Sequence, residues 1–231
     1  MPEITIKAAD GGAFAAYHAK PPSGRGGGLV LIQEIFGVNR VMRDLADGYA
    51  QLGYHVLCPD LFWRQQPGIQ ITDKTEAEWA RAFELYKGFD VGKGVADLTA
   101  TLAAARTLEG ATGKAGSVGY CLGGKLAYLM ATRSDSDANV SYYGVAIEAD
   151  LEEAKSIRKP LLLHIAEKDQ FVPADAQAQI KVALAGHPRV ALHVYTGQDH
   201  AFARVGGQHY DEASANLANV RTREFLRNNL G

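Results

Sequence analysis

The amino-acid sequence predicts an α/β fold with a mostly parallel central sheet, an N-terminal antiparallel hairpin and helices on both faces. Three observations support this prediction. Short apolar runs that suit buried strands alternate with longer segments of helical periodicity. A tight glycine turn joins the first two strand-like segments, as in a β-hairpin. A cysteine flanked by glycines stands between one predicted strand and the next predicted helix.

Length and composition are typical of a single domain of this class, which we predict over residues 1–231. A net charge of −2 gives no electrostatic reason to expect nucleic acid or an acidic membrane as a partner. The two cysteines, Cys58 and Cys121, form no C-x-x-C pair, which fits a reducing compartment. No apolar run is long enough for a signal peptide or a membrane span. We therefore expect a cytoplasmic monomer with no nucleic-acid or membrane partner.

The first elements are two short strands and a buried one. Residues 4–8 alternate apolar and polar side chains, residues 14–19 form a second strand, and Asp10-Gly11-Gly12 provides the turn between them. The apolar run at residues 29–32 is typical of a parallel strand that is covered on both faces.

Helices and strands then alternate. Asn39 is expected to cap a helix that runs to about residue 52, and residues 54–58 form the next strand. Residues 60–72 have weak periodicity and predict a long surface loop, a kind of loop that often lines sites. Thr75 is expected to cap a helix to about residue 87, with Glu78 in the capping-box position.

The remaining elements follow the same alternation. Predicted helices span residues 91–108, 125–131, 174–184 and 211–228, and predicted strands span residues 115–118, 139–143, 161–165 and 190–195.

One motif carries a chemical signature. Gly119-Tyr120-Cys121-Leu122-Gly123-Gly124 reads G-x-C-x-G, a nucleophile elbow with cysteine where serine is commoner. Such a turn strains the backbone at the nucleophile, and side chains in place of the glycines would clash with the crossing strand and helix. The helix N-terminus beneath Cys121 favours a thiolate. The alternative is a buried structural cysteine beside a packing glycine.

A thiol nucleophile needs a base and a group that orients the base. Asp169 and His200 each follow a predicted strand, at the sheet edge where sites form in α/β proteins. The chain order of Cys121, Asp169 and His200 is the nucleophile–acid–histidine order of α/β-hydrolases. Glu167 and Asp175 are alternative acids, and Asp169 has the alternative roles of a solvated loop charge or a helix cap.

His200 is the preferred base because it lies in the loop after the last predicted strand, among small residues. The other histidines lie within or at the start of predicted strands, near turns or at the surface. These rivals are His18, His55, His164, His187, His193 and His209.

Several pieces of the chain resemble the dienelactone hydrolase family, also called carboxymethylenebutenolidases. The resemblance covers residues 4–226. It implies a single α/β-hydrolase domain, no cofactor, and hydrolysis of the dienelactone lactone ring to maleylacetate. The pieces are Gln33-Glu34-Ile35-Phe36-Gly37-Val38-Asn39, Cys58-Pro59-Asp60-Leu61, Gly119-Tyr120-Cys121-Leu122-Gly123-Gly124, Tyr142-Tyr143-Gly144, Asp169-Gln170-Phe171-Val172-Pro173 and His200-Ala201-Phe202-Ala203-Arg204.

The resemblance also assigns roles around the nucleophile. Backbone N–H groups of Leu122 and Ile35 would hold the developing oxyanion. In the family, the glutamate at the Glu34 position is thought to pair with the resting cysteine and to release it when substrate binds. The alternative for Glu34 is a structural role, bound to neighbouring backbone N–H groups. No cluster of ligand-type residues has metal-site spacing, so we expect no metal.

Recognition of the substrate carboxylate would use arginine. Arg204 matches one of the two anion-binding arginines of the family, and its alternative is a solvent-facing position. The second family arginine falls at Trp79. Arg81, two residues further on, would face elsewhere on a regular helix, but a local shift would bring it to the substrate, so it is a substrate-binding candidate. Phe83 replaces a carboxylate-binding tyrosine. Candidates for the pocket wall, with core packing as the alternative, are Phe36, Trp79, Phe83, Tyr142 and Phe202.

The resemblance predicts a cysteine hydrolase that opens the lactone ring of dienelactone through an acyl-enzyme on Cys121. Because Trp79 and Phe83 depart from the family pattern, a broader carboxylesterase or thioesterase acting on a bulkier or less charged ester is the alternative. A third hypothesis, a non-catalytic scaffold that binds a small acid, is disfavoured because all three triad positions are filled.

Overall fold

The computed structural model describes residues 3–231, so the first two residues of the predicted domain lie outside the described part of the chain. Two compact units are distinguished by their internal contacts, one up to Ser117 and one from Val118 onward. They are called the first and the second unit below. The expectation of one domain over residues 1–231 stays a prediction.

The first unit contains four strands in the order β1-β2-β4-β3. Strands β1 (Glu3–Lys7) and β2 (Ala13–Ala19) are antiparallel, which confirms the predicted hairpin. Strand β4 (His55–Pro59) runs antiparallel to β2 and parallel to β3 (Gly26–Ile32). The last six residues of β3 and all of β4 are buried, as expected for apolar strands that are covered on both faces.

Three helices of the first unit begin at side-chain caps. They are α1 (Arg40–Gln51), α2 (Glu76–Lys87) and α3 (Val91–Thr107). The side chain of Asn39 accepts from the N–H of Met42 at 3.2 Å, and the Thr75 hydroxyl accepts from the N–H of Glu78 at 3.2 Å. Both caps are those predicted from the sequence. Helix α3 packs against β3, and α1 packs against β4.

Residues 60–72 form the predicted loop, but part of it is buried. Leu61, Phe62 and Ile69 are buried. The buried Asp60 carboxylate closes the loop by accepting from the N–H groups of Phe62 (3.0 Å) and Gly68 (2.7 Å). Burial raises the pKa of Asp60. The weak periodicity gave no sign of this burial, because the segment is held by one carboxylate and a few apolar side chains and not by a helix or strand.

From β5 (Ala111–Tyr120), which crosses from the first unit into the second, the strand order is β5-β6-β7-β8. Strands β6 (Asn139–Tyr142), β7 (Leu161–Ala166) and β8 (Val190–Tyr195) are parallel, with His164 of β7 opposite His193 of β8. The predicted α/β class with a mostly parallel sheet is therefore confirmed.

The helices of the second unit are α4 (Leu122–Arg133), α5 (Ala174–Leu184) and α6 (Glu212–Leu230). Helix α4 packs against β6, and α6 packs against β7. A 3₁₀ segment at Ile147–Ser156, interrupted at Asp150, has no counterpart in the prediction. None of the helices in the described chain has both the length and the apolarity that crossing a membrane requires.

Candidate active site

Cys121 lies between the end of β5 and the start of α4, with φ 58° and ψ −117°. This strained backbone is the geometry expected of a nucleophile elbow. A Cβ atom on Gly119 would lie 1.9 Å from the carbonyl oxygen of Gly123, and one on Gly124 would lie 2.5 Å from that of Tyr142. The glycines are therefore required by close backbone approach, as predicted.

The backbone of Cys121 is tied to both neighbouring elements. Its N–H donates to the carbonyl of Tyr142 in β6 at 3.1 Å, and its carbonyl accepts from Gly124 and Lys125 in the first turn of α4. The side chain is buried and stands at the N-terminal end of the helix, where the backbone dipoles favour negative charge.

Asp169 and His200 form a buried pair. Nδ1 of His200 is 2.9 Å from Oδ2 and 3.0 Å from Oδ1 of Asp169, so the carboxylate accepts the Nδ1 proton and orients the ring. Among the two rival acids, Glu167 accepts from the N–H of Gly197, and Asp175 is exposed in the first turn of α5. Asp169 is therefore the carboxylate that is bonded to His200.

The charge state of His200 follows from opposing effects. Burial by itself lowers the pKa of His200, but attraction to Cys121 and the hydrogen bond to Asp169 outweigh burial and raise this pKa to about 10. Nε2 is shielded from solvent and, within residues 3–231, has no partner at full hydrogen-bond geometry. Because Nδ1 is bonded to Asp169, Nε2 is the atom available to the sulfur and to a substrate.

Three further residues that the sequence did not single out shape the site. The rings of Tyr143 and Phe171 meet the His200 ring edge-on, with centroids 5.0 Å and 4.9 Å away. The Asp199 side chain accepts from the N–H groups of His200 (2.6 Å) and Gln170 (3.0 Å) and so ties the two loops together. Tyr143 and Phe171 lie in pieces that carry the family resemblance, and Asp199 directly precedes His200, so the sequence contained a signal for each of them.

Glu34, Ile35 and Phe36 lie in the loop after β3 in the first unit, and all three are buried. Gln33 holds this loop, since its amide donates to the Glu34 carbonyl at 3.2 Å and accepts from the N–H of Leu61 at 3.1 Å. The gating role of Glu34 and the oxyanion roles of Ile35 and Leu122 stay predictions.

An aromatic cluster, defined as Phe36, Trp79 and Phe83, joins α2 to the loop after β3. The Trp79 ring meets Phe36 edge-on at 5.0 Å and stacks on Phe83 at 5.5 Å. The guanidinium of Arg81 is bonded to Glu84 at 2.5 Å and to Gln66 at 2.6 Å. These bonds give Arg81 a surface role and do not support its expected contact with substrate.

Arg204, Tyr142 and Phe202 belong to the second unit. Arg204 is buried, which disagrees with the alternative of a solvent-facing arginine. Tyr142 is fully buried and its hydroxyl bonds to side chains of α6, whereas Phe202 packs between Tyr143 and Tyr195. The positions of Tyr142 and Phe202 favour core packing, the alternative that the sequence left open.

The remaining histidines have other surroundings. His164 is bonded within the core, and His193 lies in β8, as predicted for strand histidines. Across residues 3–231, no group of three or more histidine, cysteine, aspartate and glutamate side chains is arranged to hold a metal ion.

Comparison with known sequences identifies the family. The sequence model of the dienelactone hydrolase family matches residues 14–230. The chain belongs to this family. A carboxymethylenebutenolidase from Pseudomonas putida is 38% identical over 223 residues, which are 96% of this chain and 94% of that protein. A relative from Azospirillum brasilense, provisionally named a carboxymethylenebutenolidase, is 54% identical over 233 residues and the full length of both chains.

Solved structures agree with the family. A crystal structure from Klebsiella pneumoniae, provisionally described as a dienelactone hydrolase, superposes with a TM-score of 0.85 at 27% identity over 97% of each chain. A dienelactone hydrolase-like promiscuous phosphotriesterase from metagenomic libraries gives 0.82 at 19% identity over 99% of this chain and 98% of that one, and so supports the fold alone. The protein is a carboxylic ester hydrolase with the α/β-hydrolase fold.

Proposed function

We propose that the protein opens the lactone ring of dienelactone (4-carboxymethylenebut-2-en-4-olide) to give maleylacetate, through an acyl-enzyme on Cys121. The observation that carries the proposal is the buried Asp169–His200 hydrogen bond beside a cysteine held at a strand-to-helix elbow. The relatives named carboxymethylenebutenolidase support this choice of substrate.

The first step is acylation. With its proton on His200, the Cys121 sulfur forms a bond to the lactone carbonyl carbon. The raised pKa of His200 favours this distribution of the proton. The N–H of Leu122, in the first turn of α4 and thus without an intrahelical acceptor, and the N–H of Ile35 would hold the oxyanion. Collapse breaks the ring C–O bond and leaves an enolate tethered to the thioester.

The second step is deacylation. Water attacks the thioester carbonyl as its proton passes to the enolate, and the bond between carbon and the Cys121 sulfur breaks, which returns the thiolate. One lactone and one water thus give the enol of maleylacetate, which becomes the ketone by proton transfer. Asp169 holds the His200 ring by its Nδ1–H, so that Nε2 faces the sulfur and the substrate during both steps.

Two more residues complete the proposal. The buried Arg204 would bind the free carboxylate of dienelactone. Glu34 would pair with the resting cysteine and release it when substrate binds, which would protect the thiol from oxidation.

Turnover of dienelactone and of p-nitrophenyl acetate by the wild type and by Cys121→Ala tests the proposal. We expect Cys121→Ala to abolish both activities. Cys58→Ala is the matched control, since Cys58 is the other buried cysteine and has no place in the mechanism. Hydrolysis that survives in Cys121→Ala would refute the acyl-enzyme.

The alternative is a broader carboxylesterase or thioesterase of the same fold, and the aromatic cluster favours it. Trp79 stands where the family has an arginine, and Arg81 is bonded elsewhere. Such surroundings suit a bulkier or less charged ester. Aryl ester or thioester cleavage that depends on Cys121 but is not accompanied by dienelactone turnover would establish this alternative.

A further inference from the structure

A chain of hydrogen bonds runs through the core of the second unit and does not include the side chains of Cys121, Asp169 or His200. We call it the His164 chain. Nδ1 of His164 is 2.8 Å from the Tyr195 hydroxyl, and Nε2 is 2.9 Å from the Thr222 hydroxyl. The Thr222 hydroxyl is also 2.6 Å from that of Tyr142. The chain thereby joins β6, β7 and β8 to α6.

The two ends of the His164 chain set the direction of every proton in it. At one end the Arg221 guanidinium donates to the Tyr195 oxygen at 3.2 Å, so the Tyr195 hydroxyl donates onward to Nδ1 of His164. At the other end the Tyr142 hydroxyl donates to the side-chain oxygen of Asn219 at 3.0 Å. Tyr142 therefore accepts from Thr222, and the Thr222 hydroxyl accepts from Nε2–H of His164.

This direction requires neutral His164 with its proton on Nε2. A second proton on Nδ1 would face the Tyr195 hydroxyl, which already accepts from Arg221. Burial lowers the pKa of His164 well below its usual value, and nearby His193 and Arg221 lower it further. The side chain is fully buried, and both ring nitrogens are satisfied.

Both arms of the His164 chain reach the ring of His200. On one arm, the Tyr195 ring packs on Phe202 (4.7 Å), which packs on Tyr143 (5.7 Å). On the other arm, Tyr142 precedes Tyr143 in the chain, and its carbonyl accepts from the N–H of Cys121. Tyr143 has φ 37° and contacts the His200 ring edge-on. Such a backbone angle persists only where packing holds it.

We propose that His164 is a positioning residue for the catalytic pair. Through Tyr195 and Tyr142 it fixes the position of the His200 ring relative to the Cys121 backbone. The inference rests on the proposed function for the identity of the catalytic residues. Its own content is that a second, uncharged and buried histidine sets the orientation of the reactive one.

Thr222→Val tests the proposal with little change of shape, because it removes the hydroxyl that links His164 to Tyr142. We expect kcat for p-nitrophenyl acetate to fall about tenfold at unchanged KM, since small misplacements of reacting groups are costly. In the same variant, we also expect a change in the chemical shift of the low-field His200 Nδ1–H proton and in the midpoint of the pH profile of Cys121 alkylation by iodoacetamide.

Thr101→Val is the matched control. Thr101 is also a fully buried helical threonine, and its hydroxyl bonds to the Asp97 carbonyl at 2.8 Å in the first unit. This variant should lose stability but keep the wild-type kcat, resonance and alkylation profile. Equal behaviour of Thr222→Val and Thr101→Val in all three measurements would overturn the proposal.

Substitutions of His164 itself give a second test that does not depend on the folding of Thr222→Val. Gln retains a donor and an acceptor, so His164→Gln should keep more kcat than the apolar His164→Leu, with the resonance of His200 closer to the wild type. Equal losses in both variants would contradict the proposal. If the wild type hydrolyses no ester, the proposed function fails, and the resonance and alkylation profile still decide the role of His164.

Discussion

At the scale of single residues, the surroundings of His200 have opposing effects on its pKa. Burial disfavours the imidazolium, whereas Cys121 and Asp169 favour it and prevail, so that the pKa rises to about 10. A histidine that holds a proton beside the sulfur keeps the cysteine reactive at neutral pH. Asp169 contributes both to the orientation and to the charge of the ring.

This balance predicts how stability depends on pH. The folded-state pKa of His200 is raised from 6.5 to about 10, so the stabilisation is complete below about pH 6.5 and is lost as the pH rises toward 10. Asp169→Asn should therefore lower the free energy of unfolding most between about pH 5 and 6.5, by about 1.4 kcal/mol for each unit of pKa removed. Urea unfolding across this pH range measures it.

Asp175→Asn is the control for that measurement, because Asp175 is exposed and lies in the first turn of α5. Its unfolding curve should follow that of the wild type at every pH. A loss in Asp169→Asn that stays constant from pH 6 to 10 would contradict the assigned role of Asp169.

Arg204 predicts a charge-specific effect. Arg204→Gln should raise KM for dienelactone by about tenfold or more, the effect of losing a hydrogen bond to a charged group, and leave p-nitrophenyl acetate hydrolysis nearly unchanged. Arg81→Gln is the comparison, because Arg81 is bonded to Glu84 and Gln66 and should change neither substrate's kinetics. Equal losses on both esters in Arg204→Gln would indicate a structural role instead.

At the scale of elements, strained backbone is concentrated around the site. The described residues include four non-glycine positions with positive φ, and Cys121, Tyr143 and Ala201 among them adjoin or belong to the proposed catalytic constellation. Each lies directly after a strand or in a loop that follows one, where packing of the surrounding sheet and helices holds the angle. The elements thus supply rigidity where the chemistry needs a fixed side chain.

The elbow glycines give a direct test of that rigidity. A Cβ on Gly119 would meet the Gly123 carbonyl oxygen at 1.9 Å, so Gly119→Ala should destabilise the protein by about 3 kcal/mol and abolish ester hydrolysis. Thermal unfolding and turnover measure both effects. In Gly48→Ala the new methyl meets nothing within 4 Å inside α1, so stability should rise slightly. Similar behaviour of the two variants would contradict the close approach at the elbow.

At the scale of the whole molecule, the residues with predicted site roles are distributed over both units. The second unit contains Cys121, Asp169 and His200 and the His164 chain that underlies them. The first unit contains the loop with Glu34 and Ile35 and the aromatic cluster. The family match at residues 14–230 includes residues of both units.

The whole chain is predicted to be a monomer with a net charge of −2. Size-exclusion chromatography with light scattering should give the mass of one chain at all concentrations, and the kcat should not depend on enzyme concentration. A dimer mass, or activity that falls on dilution, would contradict this prediction.

Much of the fold was predictable because it depends on local chemistry. Helix α5 has the predicted bounds, and the caps at Asn39 and Thr75 are those expected from their side chains. The loop at residues 60–72 was predicted, but the burial of Leu61, Phe62 and Ile69 and the 3₁₀ segment were not. The loop is folded around the Asp60 carboxylate, which accepts from the N–H groups of Phe62 and Gly68. The 3₁₀ segment has no periodicity that reveals it.

By itself, the sequence determined the elbow and the order of Cys121, Asp169 and His200, because glycine spacing and residue type report local backbone requirements. Only the tertiary structure decided which acid bonds to His200, that Arg81 is engaged by Glu84 and Gln66, and that Tyr142 and Phe202 pack in the core. The physical reason is that orientation, burial and partner choice depend on side chains brought together from distant parts of the chain. The direction of protons along the His164 chain is the clearest case, since six side chains on four elements define it together.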